Sequence, residues 1–533
     1  MPVATVSTAF ADAARRWADR PFLHVLDETA RHYGIPAGQI TYAQSAARID
    51  ELVNRYRRAG YGVGHRIGLM LQNRPAMFFH WFALNALGVS VVPLSPELRP
   101  AERDWLVHHS GMCHAVTIDE APLPDAPGPA RADAPDASTE CALLYTSGTT
   151  GKPKGCVLSN DYFLRCGRWY GEIGGLCTLD PGEDRLITPL PMNHMNAMGC
   201  STLGMVMTGG CIIPLDRFHP RTWWQSVRES GATIMHCLGV MPSMLLGLDP
   251  SPDDTKHRVR FGFAPGIDPR LHAAFEQRFN IPMIDAWAMT ETGTAAAIIA
   301  AHEPRIVGQS CFGRPGAHIA LRIVDETGAD VRDETPGELL VRAAGPDPRA
   351  GFFARYLNDP DATEAAWQGG WFHTGDVVRR DARGNLYFVD RWKNVIRRSG
   401  ENIAAAEVES VLRRHPLVHD VACAPVPDEL RGEEVLACIV PSAPITEPPA
   451  AAADMVRHVL AELAYYKAPG YVAFVDALPL TATNKVQRGE LRTFARTLPG
   501  TSSCIDTRQL KRRNVPPPPL GAEGLGEVGL RGL

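Results

Sequence analysis

The chain has 533 residues, 45% of them apolar, and a formal charge of −5 at pH 7 from 54 basic and 59 acidic residues. This length predicts a large core and several domains or subdomains, and a nearly balanced charge with no basic block outside Lys511 to Arg513 excludes a nucleic-acid-binding class. The 12 cysteines contain no Cys-x-x-Cys pair, which indicates free thiols in a reducing, cytoplasmic compartment rather than a zinc site or a disulfide framework.

The first part of the chain alternates helical and strand-like segments. Residues Ala46 to Arg58 are typical of a helix and Arg66 to Leu71 of a strand, which predicts parallel α/β layers. The longest apolar stretch, Met77 to Leu94, contains His80 and Asn85 and ends in Val-Val-Pro. It therefore predicts a core helix that runs into a strand, and no membrane span.

A polyphosphate-binding loop is predicted in the middle of the chain. A segment rich in Pro, Ala and Asp, from about Asp119 to Thr139, predicts a linker between two subdomains. The run that follows, Tyr145 to Gly155, combines glycines, hydroxyls and lysines between apolar runs, which predicts an anion-binding loop between buried strands. A P-loop is excluded because Pro153 follows Lys152, and a glycine-rich surface hairpin explains neither the hydroxyls nor the lysines. The candidate phosphate ligands are Thr146, Ser147, Gly148, Thr149, Thr150, Gly151 and Lys154.

Further motifs follow in chain order at Trp287 to Thr292, Trp371 to Asp376, Tyr387 to Lys393 and Leu478 to Val486. Taken alone, each has an ordinary alternative, because a Thr-Glu pair is common at helix starts and a lone lysine is usually a solvated surface charge. Together with the phosphate loop they resemble the adenylate-forming enzymes, which include acyl-CoA synthetases, peptide-synthetase adenylation domains and beetle luciferases. The resemblance extends from roughly Phe10 to Arg492.

The resemblance implies roles for the residues that bind the nucleotide. In the family the aromatic residue, here Trp287, stacks on adenine, Thr290 bonds a phosphate oxygen, and Glu291 helps to hold Mg²⁺, which prefers oxygen ligands. Asp376 resembles the aspartate that accepts hydrogen bonds from both ribose hydroxyls. Arg391 resembles the arginine that contacts the same nucleotide.

The resemblance also implies an α/β fold in which residues 1–390 form a large N-terminal domain of layered subdomains and residues 391–497 form a small, mobile α+β lid. Residues 498–533 are then a tail, expected to be disordered from about residue 515. In the family the lid swivels after adenylation about a hinge, here Lys393. One face presents a lysine, here Lys485, that stabilises the charge developing at the α-phosphate, and another face helps to bind CoA.

The predicted acyl pocket departs from the family pattern. Phe263 and Trp287-Ala288 stand where many members have a glycine and Tyr-Gly, and the added bulk disfavours a long fatty acid. Pro191 to Met195 resembles the Pro-x-x-His segment that borders the acyl site, where a histidine more often packs than transfers protons. The pocket candidates are His194, Met195, Gly239, Phe263 and Ala288, and Ala264 and Gly400 complete the cofactor-binding set.

The resemblance implies an AMP-forming acid–CoA ligase that uses ATP, Mg²⁺ and coenzyme A to activate a small-molecule carboxylic acid. Phe218 to Trp224 and Ser399 to Asn402 resemble carnitine and crotonobetaine CoA ligases, and aromatic faces at Trp287 and Phe263 suit a substrate ammonium. Two alternatives stay open: a stand-alone adenylation enzyme that loads a carrier protein, and a non-catalytic nucleotide-binding scaffold. The presence of Lys485, Glu291 and Asp376 argues against the scaffold. A homodimer is compatible with the sequence.

Overall fold

A computed structural model describes residues 4–117, 122–146, 153–238, 241–325, 327–391, 395–399, 401–479, 486 and 488–511. Within these ranges the α-helices are α1 Val6–Arg16, α2 Asp27–Tyr33, α3 Tyr42–Arg58, α4 Pro75–Ala86, α5 Pro100–Ser110, α6 Asn160–Glu172, α7 Leu203–Thr208, α8 Trp223–Ser230, α9 Met241–Leu246, α10 Pro269–Phe279, α11 Pro360–Ala366, α12 Ala405–Leu412, α13 Pro448–Glu462 and α14 Arg488–Arg496. The strands are β1 Pro21–Val25, β2 Gly38–Thr41, β3 Arg66–Leu69, β4 Ser90–Pro93, β5 His114–Val116, β6 Glu140–Thr146, β7 Lys154–Ser159, β8 Arg185–Thr188, β9 Cys211–Pro214, β10 Ile234–His236, β11 Phe261–Phe263, β12 Met283–Ile284, β13 Ala286–Trp287, β14 Ile298–Ile299, β15 Cys311–Gly313, β16 Ile319–Val324, β17 Gly337–Ala343, β18 Arg355–Tyr356, β19 Phe372–Arg380, β20 Leu386–Arg391, β21 Val395–Arg398, β22 Glu401–Ala404, β23 Val418–Asp428, β24 Gly432–Pro441, β25 Tyr471–Phe474 and β26 Cys504–Asp506.

Two largely parallel sheets form the centre of the body, the name used here for residues up to 391. One is a 7-stranded sheet in the order β12-β11-β10-β8-β9-β1-β2, and the other is a 6-stranded sheet in the order β18-β7-β6-β4-β3-β5. Helix α3 begins with a capping box in which Thr41 and Gln44 satisfy each other's backbone N–H groups. Helix α4 is buried along most of its length and leads into the buried strand β4, which confirms the predicted core helix and strand. No helix among the described residues is long and apolar enough to cross a membrane.

The predicted linker does not separate two subdomains. Strand β5 before it and strand β6 after it belong to the same 6-stranded sheet. Its described part packs back on the body, because the N–H of Ala126 donates to the carbonyl of Ala59 at 2.7 Å and that of Arg131 to the carbonyl of Val63 at 2.9 Å. The Pro- and Ala-rich composition indicated an irregular segment, which is correct, but it carried no information about these backbone partners.

The C-terminal part has its own sheet and core. A 5-stranded sheet, β15-β20-β19-β17-β16, completes the body, and its strand β20 ends at Arg391. From Val395 onward the strands join a second 6-stranded sheet, β22-β21-β24-β25-β26, with β23 also paired to β24. We call residues 395–511 the lid. Its helices α12 and α13 cover an apolar cluster that includes Val408, Val421 and Val456.

The lid continues past residue 497, where the sequence predicted that it would end. Strand β26 pairs with β25 from Cys504 to Asp506, and the buried Lys511 ammonium donates to the buried carboxylate of Glu434. A strand of three residues carries almost no periodic pattern, so the sequence alone does not distinguish it from a tail. The stretch predicted to be disordered, from about residue 515, lies outside the described residues, as does the predicted hinge Lys393.

Candidate functional site

The predicted phosphate loop lies between two buried antiparallel strands, β6 and β7, as the sequence indicated. Their pairing ends with Thr146 opposite Lys154, so these two candidate ligands lie side by side where the loop begins and ends. The Lys154 ammonium is 4.0 Å from a carboxylate oxygen of Asp359 and 4.7 Å from the centre of the Tyr356 ring. Ser147, Gly148, Thr149, Thr150 and Gly151 lie outside the described residues.

A buried carboxylate, Glu291, lies beside the start of this loop. Its Oε1 accepts hydrogen bonds from the Thr146 hydroxyl at 3.3 Å and from the Tyr356 hydroxyl at 2.9 Å. Burial and, to a smaller extent, the nearby Glu291 charge raise the pKa of Tyr356 far above its ordinary range. The tyrosine therefore acts as a neutral hydrogen-bond donor. Both hydroxyls use the same oxygen, so neither of them occupies the Oε2 lone pairs that a cation can use.

The donor set around Glu291 fits Mg²⁺. The described residues contain no cluster of three or more His, Cys, Asp or Glu side chains that could hold a metal by themselves. Mg²⁺ is commonly bound by one or two carboxylates together with substrate phosphates, which is the arrangement that a single carboxylate beside a phosphate loop allows. Glu291 is thus the metal candidate in the structure as in the sequence.

Thr290 is held by helix α6 on the opposite side of the turn. The Tyr162 hydroxyl donates to the Thr290 carbonyl at 2.8 Å, and Tyr162 lies in the first turn of α6, which Ser159 caps. Gly293 has φ +51°, and a Cβ there would lie 2.5 Å from the Tyr162 ring. This close approach requires glycine, and it keeps the turn that carries Thr290 and Glu291 against α6.

The aromatic and the aspartate of two separate motifs meet in a buried hydrogen bond. The Trp287 indole Nε1–H donates to Oδ2 of Asp376 at 2.9 Å, and the two residues are 6% and 2% exposed. Asp376 is oriented further because its N–H donates to the Thr374 hydroxyl, which in turn donates to the Leu339 carbonyl. In the pairing of β19 with β20, the backbone of Arg391 lies opposite Asp376.

A second buried carboxylate, Asp285, ties two of the predicted segments together. Its Oδ1 accepts hydrogen bonds from the N–H groups of Gly266 at 2.8 Å and Ala286 at 2.9 Å. The N–H of Ala264 donates to the Ile284 carbonyl at 2.9 Å, so the segment after β11 is fixed to the strand that leads to Trp287. Burial raises the pKa of Asp285 to about 6 despite its two hydrogen bonds. Sequence reasoning missed this residue, although a lone carboxylate after the apolar run 281–284 was a usable signal.

The acyl-pocket candidates centre on His236, at the end of β10. Phe263, its partner in β11, stacks on the imidazole with ring centres 4.9 Å apart. His236 Nε2 is 2.7 Å from the Tyr170 hydroxyl, and Nδ1 is 2.9 Å from Asn196 Oδ1 and 3.0 Å from the Ser201 hydroxyl. Burial lowers the pKa of His236 to about 3, so the ring is neutral and serves as a hydrogen-bonding wall.

The remaining predicted residues within the described ranges make none of the side-chain hydrogen bonds given above. His194 and Met195 directly precede the π-helical segment Asn196–Thr202 that supplies Asn196 and Ser201 to the His236 network. Burial lowers the pKa of His194, which makes a charged role for it unfavourable. Ala288 is exposed, next to Trp287. Gly239, Gly400, Lys393 and Lys485 lie outside the described residues.

Comparison with known protein families supports the resemblance that the motifs indicated. Residues 10–347 match the family model described as AMP-binding enzyme, and residues 407–485 match that described as AMP-binding enzyme C-terminal domain. The chain is similar to a crotonobetaine/carnitine–CoA ligase of Proteus mirabilis (strain HI4320), with 28% identity over 494 residues that cover 85% of this chain and 93% of the relative.

Two solved proteins are similar to this structure over most of its length. A malonyl-CoA ligase with methylmalonyl-CoA and AMP bound is 28% identical, with a TM-score of 0.72 over 87% of this chain and 97% of that one. The o-succinylbenzoate CoA synthetase of Bacillus subtilis gives a TM-score of 0.76 as a double mutant with its product analogue OSB-NCoA, and 0.61 with the acyl-adenylate OSB-AMP. These two alignments, at 24% and 23% identity, each cover 91% of this chain and 97% of the synthetase, and they establish the fold alone.

Proposed function

The chain belongs to the AMP-binding enzyme family, and on that premise we propose that it is an AMP-forming acid–CoA ligase. It activates a carboxylic acid with MgATP to an acyl adenylate, releases pyrophosphate, and transfers the acyl group to the thiol of CoA. The relatives reported above are named as CoA ligases or synthetases, and this naming favours free CoA over a carrier protein as the acceptor.

One observation carries this proposal: the short segment Trp287 to Glu291 joins two clusters of different chemistry. At one end Trp287 bonds Asp376 at 2.9 Å, and an aromatic ring beside a carboxylate suits a base and its ribose. At the other end Glu291 bonds Thr146 at 3.3 Å at the edge of the phosphate loop, which suits a polyphosphate and its cation. A nucleotide laid along this segment therefore places its α-phosphate between the two clusters.

The residues of the chain position the reactants before the chemistry begins. Asp376 fixes the Trp287 indole and with it the plane against which adenine stacks, while the hydroxyls on Glu291 Oε1 fix the orientation of that carboxylate. Glu291 is proposed to hold Mg²⁺, which when bound neutralises charge on the phosphates. Lys485 is proposed, from the family resemblance, to stabilise the charge that develops at the α-phosphate.

We propose that the acid is small. If the acyl group enters beside Phe263, as the resemblance implies, it meets an aromatic ring stacked on a neutral imidazole that is itself bonded to Tyr170. A long alkyl chain would have to displace this packed group, which costs free energy. Betaine-type acids head the candidates because the Proteus relative is named for crotonobetaine and carnitine, and an aromatic wall can stabilise a quaternary ammonium.

The cellular setting and the domain division are further parts of the proposal. The described cysteines are free thiols, which suits the reducing cytoplasm. The passage from the body sheet at Arg391 to the lid sheet at Val395 is consistent with a boundary and a hinge around Lys393.

The test is exchange of labelled pyrophosphate into ATP with a panel of short-chain, branched, aromatic and betaine-type acids. We expect exchange only when a suitable acid is present, and thioester only when CoA is added. Thioester formation on an added carrier protein but not on CoA would favour the adenylation enzyme. ATP binding without exchange for any acid would favour the nucleotide-binding scaffold.

A further inference from the structure

The lid and the body meet at a buried ion cluster built on the start of helix α5. The Lys467 ammonium, from the lid, lies 2.7 Å from a carboxylate oxygen of Glu102 in the body and 2.8 Å from one of Glu407 in the lid. The three side chains are 10%, 7% and 10% exposed. One cation thus bridges a carboxylate from each part of the protein, away from solvent screening.

A second contact joins the same two elements. The Arg99 guanidinium, which precedes α5, donates through Nε to the carbonyl of Leu463 at 3.1 Å. Leu463 is the C-cap of helix α13, where carbonyls lack partners within the helix and the helix dipole favours a positive charge. Two contacts therefore join the body to the lid. Arg99 donates to the partly negative carbonyl of Leu463, and Glu102 binds the positive ammonium of Lys467.

The body half of this contact is formed without the lid. Glu102 is the N3 residue of α5, and its Oε2 accepts the backbone N–H of Arg99 at 2.9 Å, as in a capping box. The carboxylate is therefore oriented by its own helix, and its other oxygen, Oε1, is left for the lysine. On the lid side, Lys467 keeps Glu407 as a partner whether or not Glu102 is present.

Burial lowers the pKa of Lys467, but the carboxylates of Glu407 and Glu102 raise it by more, and the net pKa lies above the ordinary range of lysine. The ammonium is therefore charged at every physiological pH. Removing the Glu102 charge leaves one cation paired with one anion inside the lid, so the lid can keep its fold. Glu102 is the member of the cluster that can be changed without leaving a buried charge unpaired.

The whole chain superposes better on one structure of the Bacillus synthetase than on another, with TM-scores of 0.76 and 0.61. The structure superposes more closely on the Bacillus synthetase with its CoA product analogue than on the same synthetase with an acyl adenylate, although the alignments cover equal shares of the chain. Because both structures share the fold of one synthetase, we infer that the difference lies in how the two parts of the protein are arranged. The malonyl-CoA ligase with a CoA thioester bound is also among the better matches.

We propose that Arg99 and Glu102 form a latch that holds the lid, through Leu463 and Lys467, in the orientation that serves thioester formation. The inference rests on the proposed CoA-ligase function. Glu102 and Lys467 act as positioning residues. Within the described part of the chain they contact neither the nucleotide cluster nor the acyl candidates, and they bias the lid toward the second half-reaction. The latch must open when the lid turns to present Lys485 for adenylation.

The test compares the two half-reactions in Glu102→Gln. Glutamine can still accept the Arg99 N–H, so the helix cap remains and only the charge toward Lys467 is lost. We expect conversion of a presynthesised acyl adenylate and CoA to thioester to fall roughly tenfold or more, as for loss of a buried charged hydrogen bond. Pyrophosphate exchange should be unchanged or faster. Glu102→Lys, which places two cations together, should enlarge the same split.

The control is Glu140→Gln, which removes the carboxylate charge of the Arg66–Glu140 pair, both members of which belong to the body. It should leave the ratio of the two half-reaction rates unchanged. Equal losses in both half-reactions for Glu102→Gln, or the same rate ratio as in the control, would overturn the latch.

A readout without substrates separates this proposal from the proposed function. In the nucleotide-free protein, Glu102→Gln should accelerate amide hydrogen exchange at residues 463–467, while the β23–β24 hairpin of the lid keeps wild-type protection. Unchanged exchange at residues 463–467 would contradict the latch even in a protein with measured ligase activity. Failure of every acid and CoA in the wild type would instead refute the ligase function, and the exchange result would still decide whether the contact holds the lid.

Discussion

Replacing Trp287 by phenylalanine removes one hydrogen bond from the nucleoside end of the site and retains an aromatic ring. The lost donor is the indole Nε1–H, 2.9 Å from Oδ2 of Asp376, and both residues are buried, so water cannot freely take its place. A hydrogen bond to a charged group contributes about 1.5–3 kcal/mol. If this bond orients Asp376 for ribose, we expect the KM for ATP to rise roughly 10- to 150-fold, with a smaller change in kcat.

The assay is acid-dependent pyrophosphate exchange measured against ATP concentration. The matched control is Trp223→Phe, because Trp223 is fully buried in the body and its Nε1 has no hydrogen-bond partner among the described residues. This control removes the same atoms from a core site without removing a hydrogen bond. It should lower the thermal stability and leave the KM for ATP unchanged.

A double-mutant cycle with Asp376→Ala isolates the pair. The two substitutions should not be additive, because each removes the same interaction, and the coupling free energy should fall within the same range of about 1.5–3 kcal/mol. Discrimination between ATP and its 2′- and 3′-deoxy analogues should also shrink in Trp287→Phe. A KM for ATP equal to that of the Trp223 control, or full additivity, would refute the positioning of Asp376 by Trp287.

The remaining predictions concern other residues of the site. Lys485→Ala should slow adenylate formation roughly 100- to 1000-fold while a presynthesised adenylate still reacts with CoA at a near-normal rate; equal losses in both assays would refute the role. Tyr356→Phe should raise the Mg²⁺ concentration for half-maximal exchange, because Glu291 loses the hydroxyl 2.9 Å from Oε1 that orients it; an unchanged Mg²⁺ dependence would contradict this. Asp285→Asn should stabilise the protein near pH 8 by up to about 3 kcal/mol in the free energy of unfolding. In the folded protein the pKa of Asp285 is raised to about 6, so protonation of this carboxyl stabilises the fold. This stabilisation is fully present below about pH 4 and is lost as the pH rises through 6. The gain of the asparagine variant should therefore vanish toward pH 4, and a gain independent of pH would argue against the buried charge.

Local sequence patterns predicted much of the fold and the main residues of the two clusters in the candidate site. The alternation of apolar runs and turn residues indicated strands β6 and β7 around the phosphate loop, and the apolar run of α4 indicated a core helix. Thr146, Trp287, Glu291 and Asp376 stood in motifs whose residue types fit a nucleotide, and the structure brings them into two adjoining clusters. These features are short-range, so a linear sequence carries them.

The contacts that the sequence did not predict depend on packing between segments that are far apart in the chain. Tyr356 is 65 positions from Glu291, in a two-residue strand with no unusual composition, and only the sheet pairing of β18 with β7 brings it to the site. His236 is a single histidine in an apolar run, and its network depends on side chains from two other elements. The capping pattern of Glu102 could be read locally, but its partner Lys467 is 365 residues away.

The most direct test of the central claim is the product stoichiometry of the complete reaction with the acid that best supports exchange. With excess enzyme, ATP, Mg²⁺, CoA and that acid, the account predicts that AMP, pyrophosphate and acyl-CoA form in equal amounts, and that omission of CoA leaves acyl adenylate on the enzyme. Formation of ADP and phosphate, or of AMP without any acyl adenylate or thioester, would contradict an AMP-forming acid–CoA ligase.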